Sequence, residues 1–162
     1  MIRYLCPAQT RLMLLTDLDL TRFQSRLQLS REGGQTFVFD PLRKKKLLLT
    51  PEEWIRQLLI QYLISQKGYP PGRLAAEQRL KVAGQNRRFD LLAYDKAGLP
   101  FLLAECKAPE VKINQKAFDQ IAAYNYALRV PYLLLTNGPQ TICCEMDYEK
   151  SSYRFLDEIP SP

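Results

Sequence analysis

Three observations predict an α/β domain from this sequence. Two segments, at 51–67 and 114–128, place apolar residues with the 3.6-residue period of a helix. Short apolar runs bounded by Gly, Pro, Asn or Asp flank these segments, as is typical of strands. The length of 162 residues suits a single hydrophobic core. We therefore expect one folded domain over 35–160, preceded by a weakly patterned N-terminal extension at 1–34.

The domain begins with a predicted strand pair. The runs QTFVFD and KLLLT have strand character, and Asp40-Pro41 lies between them as a turn signal. The basic cluster at 43–46 follows this turn. It can contact phosphates, but a solvated turn is the preferred interpretation.

The first helix carries its own start and stop signals. Thr50 is the expected N-cap, Pro51 occupies the first turn, and Glu53 stands where a capping box needs it. The sequence GYPPG at 68–72 ends the helix.

The remaining elements follow in order. Residues 73–82 are ambiguous, since Ala and Leu favour a helix but the segment is short and lies between Gly-containing turns. The runs RRFDLLAYD and FLLAECK predict a hairpin around DKAGLP. After the helix at 114–128, VPYLLLTNG and TICCEMD predict two further strands, and the polar, proline-containing tail is expected to be loose.

The composition narrows the class of function. The chain has no histidine, and its four cysteines lack C-x-x-C spacing, so a structural zinc is not expected. A net charge of +6 favours a polyanionic partner. No run approaches the about 20 apolar residues of a membrane span, and no signal-peptide pattern opens the chain. A soluble cytoplasmic protein with reduced thiols is expected.

The predicted hairpin brings three charged residues together. With a four-residue loop at 96–99, Asp90 faces Glu105 across the strand pair. Their Cβ atoms should then lie roughly 4.5–5.5 Å apart. Lys107 is two residues beyond Glu105, so its side chain should emerge on the same face.

Two facing carboxylates repel each other unless a cation lies between them. Such oxygens suit Mg²⁺ or Mn²⁺, and a neighbouring lysine can orient water or stabilise charge on a phosphate. Repulsion also predicts that Asp90→Asn is at least as stable as the parent without metal. The alternative is that Glu105 and Lys107 form a surface ion pair, with Asp90 incidental.

Further polar residues surround this group in the sequence. Gln120 and Tyr124 are four apart on the second helix, so they share a face and can point to the strand end. The alternative is a polar helix flank beside the core. Arg87, Arg88 and Lys112 carry positive charge that can steer a nucleic-acid backbone.

The stretch FDLLAYDKAGLPFLLAECKAPEVKINQKAFDQIAAYNYAL resembles the nuclease region at the N-terminus of type I restriction-enzyme R subunits. This region belongs to the RecB-like branch of the PD-(D/E)XK superfamily. The resemblance covers about 35–160 and is strongest over 87–138. It implies a restriction-endonuclease-like fold, with a mixed central β-sheet flanked by helices. It also implies that 73–82 is a strand.

The resemblance assigns roles residue by residue. It implies that Asp90 and Glu105 are metal ligands and that Lys107 is the catalytic lysine. Gln120 and Tyr124 correspond to the Q-x-x-x-Y feature of the RecB-like branch. An acid of the first helix sometimes joins such sites, and Glu53 is the candidate, although capping alone accounts for it. Phe89 stands where the motif has proline, and no nucleotide-binding G-x-x-x-x-G-K-[ST] motif accompanies the site.

The sequence therefore predicts a Mg²⁺-dependent endodeoxyribonuclease domain. DNA is the expected partner, together with a second copy of the chain or other subunits of a restriction complex. The alternative is a nucleic-acid-binding or assembly module that keeps the nuclease fold and cleaves nothing.

Overall fold

The computed structural model describes residues 18–82 and 84–162. This part of the chain folds as an α/β structure with two sheets. Its elements are β1 Leu29–Glu32, β2 Gln35–Asp40, β3 Lys45–Leu48, α1 Pro51–Ser65, β4 Leu74–Val82, β5 Gln85–Tyr94, β6 Pro100–Cys106, α2 Gln115–Leu128, β7 Tyr132–Thr136, β8 Thr141–Asp147 and β9 Ser152–Phe155.

The smaller sheet is antiparallel, in the order β1-β2-β3. Its strands β2 and β3 are those predicted around Asp40-Pro41. Residues of the predicted extension are also folded, because β1 pairs with β2. A short 3-10 helix, Leu20–Arg26, precedes β1 and buries Leu20 completely in the core beside α1. Residues 1–17 of that extension lie outside the described residues.

The larger sheet runs in the order β4-β5-β6-β7-β8-β9. It is mixed, as predicted: β6 and β7 are parallel because α2 crosses over between them, and the other neighbours are antiparallel. Strand β4 settles the ambiguous segment. Pairing with β5 along its length overrides the helical preference of its Ala and Leu residues.

The two helices cover opposite faces of the larger sheet. Alternate residues of β5 and β6 point to opposite sides, so one set packs on α1 and the other on α2. The first cluster contains Leu58, Leu91 and Ala104, and the second contains Phe118, Leu92 and Leu103. The helices are thereby fixed on either side of the strand ends that carry the predicted site.

The β5–β6 hairpin has the predicted register at the end nearest Asp90 and Glu105. Leu91 faces Ala104, as the sequence predicts, but the register shifts after Ala93. The predicted four-residue loop at 96–99 is therefore wrong. The Asp95 carboxylate accepts hydrogen bonds from two main-chain N–H groups of the turn and closes a longer loop.

The tail is more ordered than its polar composition indicates. Strand β9 pairs with β8, and Ile159 is 1% exposed beyond it. Within the described residues, neither helix has the length and apolar character needed to cross a membrane.

Candidate active site

The candidate site lies where β5 and β6 separate. Their pairing ends at Leu91 and Ala104, one position short of Asp90 and Glu105. Beyond this point the Cys106 N–H donates to Oδ2 of Asp90 at 2.7 Å. The carboxylate of Asp90 therefore takes the place of a main-chain acceptor at the end of β6.

Glu105 and Lys107 form a pair at the same strand end. The Lys107 ammonium donates to Oε1 of Glu105 at 2.8 Å, so both side chains lie on one side of the strand, as their spacing predicts. The Lys107 N–H donates to the carbonyl of Thr136 at 2.8 Å and fixes the chain after β6. The two side chains are 31% and 27% exposed, which leaves them accessible to a ligand.

The pKa values of Glu105 and Lys107 are both shifted by burial and by neighbouring charges. Burial and the neighbouring Asp90 carboxylate raise the pKa of Glu105, and Lys107 opposes the shift only in part. Burial alone would lower the pKa of Lys107, but its hydrogen bond to Glu105 raises it above the ordinary value. Lys107 is therefore a cation at neutral pH, and an additional cation beside the acids would relieve their repulsion.

Arg56 of α1 holds the other oxygen of Asp90. It donates to Oδ1 at 2.9 Å and is 3% exposed. The same guanidinium pairs with Glu53, with Glu52 at 3.2 Å and with Glu77 at 3.7 Å. Burial alone would lower the pKa of Arg56, and the charges of Asp90 and Glu53 raise it above its ordinary value. One buried cation thus neutralises several acids beside the site.

Arg43 connects this group to the smaller sheet. Its guanidinium contacts Asp40 at 2.5 Å and both Glu53 and Glu77 at 2.6 Å. Burial would raise the pKa of Asp40, but hydrogen bonds from Arg43 lower it overall. Gln57 donates to Asp40 and Glu53, each at 2.9 Å. For Arg43, the prediction of a solvated turn is therefore wrong, because its side chain is only 14% exposed.

Glu53 departs from the predicted capping box. The Thr50 hydroxyl accepts the Glu53 N–H at 3.1 Å, so the N-cap is confirmed. The Thr50 N–H, however, donates to the carbonyl of Leu48. The Glu53 side chain turns inward to the two arginines instead. It is linked to Asp90 through Arg56.

Gln120 and Tyr124 lie together on α2. The Gln120 amide donates to the Tyr124 hydroxyl at 3.3 Å. The guanidinium of Arg87 lies over the Tyr124 ring, 4.7 Å from its centroid. Through Arg87, this pair contacts β5 three residues before Asp90.

The other predicted nucleic-acid contacts are Arg88, before Asp90 in the chain, and Lys112, after Glu105. Arg88 is 56% exposed at its side chain and contacts Glu77 at 3.3 Å. Lys112 is exposed in the connection from β6 to α2. The Asn137 amide holds that connection by donating to the carbonyl of Val111 at 2.9 Å.

Sequence reasoning missed Arg43, Arg56 and Glu77. The spacing of Glu53 and Arg56, three apart on a largely apolar helix face, is a signal of a buried ion pair. Glu77 gives no comparable signal, because it lies in the ambiguous segment and adopts a φ of +50°. Its approach to the arginines depends on that irregular backbone.

The described residues supply only part of the coordination shell of a metal ion. Over 18–82 and 84–162, no three or more acidic, cysteine or histidine residues are grouped to hold an ion. The Asp90 and Glu105 pair would supply two carboxylates. Mg²⁺ is commonly bound in this way, by one or two carboxylates with water and substrate phosphate completing its shell.

Comparison with known proteins supports the resemblance over most of the chain. A family model described as type I restriction enzyme R protein N terminus matches residues 51–160. A fragment structure assigned as an HsdR subunit of a type I restriction enzyme from Vibrio vulnificus YJ016 has a TM-score of 0.52 and 19% sequence identity. The alignment covers 70% of this chain and 24% of that chain. Comparison with curated proteins gives no significant match. The family match spans α1 to the tail and includes every site residue predicted from the sequence, so the chain belongs to the family of type I restriction enzyme R protein N-terminal regions.

Proposed function

We propose that this chain is a PD-(D/E)XK nuclease domain of the RecB-like branch, which hydrolyses DNA phosphodiester bonds with Mg²⁺ or Mn²⁺. The observation that carries the proposal is the arrangement at the end of β6. Asp90 lies just beyond the strand pairing, and the Glu105–Lys107 pair emerges beside it. The match to type I restriction enzyme R protein N-terminal regions supports a nuclease-related protein.

The residues present fit a divalent cation. Asp90 and Glu105 would hold it, with the Cys106 carbonyl as a further ligand. Burial first and the Asp90 carboxylate second raise the pKa of Glu105, and a cation there would oppose this shift by favouring both carboxylates. When bound, the ion would activate water and neutralise charge on the phosphate.

Lys107 supplies the cationic hydrogen-bond donor. Its ammonium is anchored on Glu105, so it is held where it can donate to an attacking water or to a phosphate oxygen. Gln120 and Tyr124 support the same substrate from α2. Arg87, Arg88 and Lys112 neutralise phosphates around the scissile bond without reading sequence.

A plasmid-nicking assay with Mg²⁺ or EDTA tests this proposal. We expect nicking in Mg²⁺, loss of nicking in EDTA, and loss in Asp90→Ala. Glu149→Gln is the matched control, since Glu149 is an exposed acid remote in sequence from the site. Nicking that persists in Asp90→Ala would refute the assignment of the metal site.

Two hydrogen bonds to Asp90 favour a second candidate, a non-cleaving DNA-binding or assembly module. Both oxygens of Asp90 already accept hydrogen bonds, from Arg56 and from the Cys106 N–H. A carboxylate satisfied in this way is stable without a metal. Under this reading the chain binds DNA equally in EDTA and in Mg²⁺ and serves other subunits of a restriction complex or a second copy of itself.

A further inference from the structure

Strands β4 and β5 continue beyond the rest of the sheet as a two-stranded ribbon. Five cross-strand pairs, from Gln78–Phe89 to Val82–Gln85, lie past the level at which β5 leaves β6. We call residues 78–82 and 85–89 the ribbon. Glu77 and Asp90 occupy the positions directly next to it on the two strands.

The ribbon has two different faces. Phe89 is 4% exposed and packs with Phe118 of α2, while Arg87 lies over Tyr124 of the same helix. Since side chains alternate along a strand, the residues between these point the other way. Arg79, Lys81 and Arg88 are exposed on that outer face.

The outer face concentrates positive charge at a cost to the fold. Arg79 is directly opposite Arg88, and Lys81 is directly opposite Asn86. Like charges in directly opposed positions destabilise an antiparallel pair. Segment 78–89 contains four basic residues and no acidic one. Glu77 pairs with Arg88 at 3.3 Å, but no acid within 78–89 offsets Arg79 and Lys81, so a bound anion would stabilise this face.

A shallow cavity marks where that anion would lie. It has a volume of about 300 Å³ and is lined by Arg79, Asn86 and Arg88 of the outer face, together with Arg87, whose guanidinium lies over Tyr124. Guanidinium groups bind phosphate oxygens in bidentate fashion, and the Asn86 amide adds a neutral donor. The lining therefore matches phosphate chemistry.

We propose that the outer face of the ribbon binds the phosphate backbone of duplex DNA, through Arg79, Lys81 and Arg88. The proposal rests on the proposed function for the identity of the polyanion. A two-stranded β-ribbon is one of the shapes that the major groove admits. From Arg88 to Asp90 is two residues, or roughly 7 Å along the strand. DNA bound to the ribbon would therefore lie close to Asp90.

The test measures DNA binding in EDTA, so that cleavage plays no part. The variants are Arg79→Gln/Lys81→Gln and Arg79→Glu/Lys81→Glu, compared with the parent on a short labelled duplex and on its single strand. The matched control is Lys96→Glu/Lys150→Glu. Both of its lysines are exposed; Lys96 lies in the turn between β5 and β6, and Lys150 lies between β8 and β9.

Salt dependence gives the quantitative readout. Each lost phosphate contact should reduce the slope of log affinity against log salt by about 0.9, so Arg79→Gln/Lys81→Gln should reduce it by about 1.8 on duplex DNA. The charge-reversal variant should weaken binding further. The control should keep the parental slope.

Thermal melts separate a lost contact from a lost fold. Because neutralising Arg79 removes an opposed like charge, the Gln variant should be at least as stable as the parent while it binds more weakly. Parental binding in both ribbon variants would overturn the proposal. Equal losses in the control, or a loss confined to single-stranded DNA, would also overturn it.

Failure of the proposed function has a different signature. If the parent binds duplex DNA through the ribbon but never nicks a plasmid in Mg²⁺, the nuclease assignment fails and the ribbon assignment stands. If the ribbon variants bind as the parent does while Asp90-dependent nicking is normal, the ribbon assignment fails and the nuclease assignment stands.

Discussion

Arg56 is the residue on which the charge balance of the site depends. Its guanidinium is almost fully buried and contacts Asp90, Glu53, Glu52 and Glu77. Removing one member of a buried ion pair leaves the other charged and desolvated, which costs more than the pair contributes. Arg56 is therefore expected to be a positioning residue for Asp90 as well as a structural one.

Arg56→Met keeps the length of the side chain and removes its charge. We expect a loss of about 3–5 kcal/mol in the free energy of unfolding, because buried acids lose their partner. Urea unfolding measures it, with Arg22→Met on an exposed arginine as the control. A loss no larger than that of Arg22→Met would show that the acids do not depend on this guanidinium.

Lys107 should separate chemistry from binding. If its ammonium stabilises charge that develops in the transition state, Lys107→Ala should lower single-turnover cleavage by roughly 10²–10³-fold. DNA affinity in EDTA should change little. Lys112→Ala provides the contrast, since a phosphate contact lowers affinity and leaves the rate of bound substrate nearly unchanged. Equal losses of binding and cleavage in Lys107→Ala would reduce it to another phosphate contact.

At the scale of elements, helix α1 joins the core to the site. The turn between β7 and β8 packs against it through Gly138, which adopts a φ of +98°. A Cβ added there would lie 2.6 Å from Cδ1 of Ile55. An alanine at residue 138 would therefore force the fully buried Ile55 side chain, or α1 with it, to move.

Gly138→Ala should accordingly cost more than its backbone conformation alone. The matched control is Gly98→Ala, where φ is +77° but an added Cβ would meet nothing within 4 Å. We expect about 1–3 kcal/mol for the backbone strain common to both. Gly138→Ala should show an additional loss from the contact with Ile55. Equal losses in urea unfolding would mean that α1 shifts without cost.

Element prediction succeeded where local signals and pairing agree. Thr50, Pro51 and the glycine-proline stretch at 68–72 define α1 in the sequence and in the structure. Segment 73–82 could not be assigned from composition, because its strand state comes from the partner β5. The prediction of the β5–β6 turn was wrong for a different reason. The Asp95 side chain stabilises a loop that strand counting does not consider.

At the scale of the whole molecule, the sequence predicted the placement of the three charged residues at the strand ends better than the contacts around them. The register of neighbouring strands can be counted from the sequence. The proximity of Asp90 to the strand end that carries Glu105 and Lys107 could therefore be predicted. The ion pairs of Arg43 and Arg56 were not. They join β2, β4 and α1, elements far apart in the chain, and depend on the assembled fold.

The same ion pairs change one expectation about stability. Repulsion alone predicts that Asp90→Asn is at least as stable as the parent without metal. Asp90, however, accepts from Arg56 with one oxygen and from the Cys106 N–H with the other. An asparagine has a single oxygen, so one donor loses its acceptor. We therefore expect a loss of about 1–3 kcal/mol in EDTA.

Thermal melts of the parent and Asp90→Asn, in EDTA and in Mg²⁺, test this together with the metal site. Mg²⁺ should stabilise the parent by about 2.7 kcal/mol when free metal is about 100 times its dissociation constant. Asp90→Asn should melt lower in EDTA and should not respond to Mg²⁺. An equal Mg²⁺ shift in both proteins would place the metal elsewhere.

The position of Arg43 has a consequence for where this domain can be cut. The family match begins at residue 51, and a chain trimmed there would keep both helices and the entire larger sheet. It would lose Arg43 together with Asp40, and so remove one of the two guanidiniums that neutralise Glu53 and Glu77. The trimmed piece would also lose the fully buried Leu20 and Val38, and with them part of the apolar packing against α1. We therefore expect a piece that begins at residue 51 to be less stable than the full chain, through lost charge balance beside Glu53 as well as through lost packing.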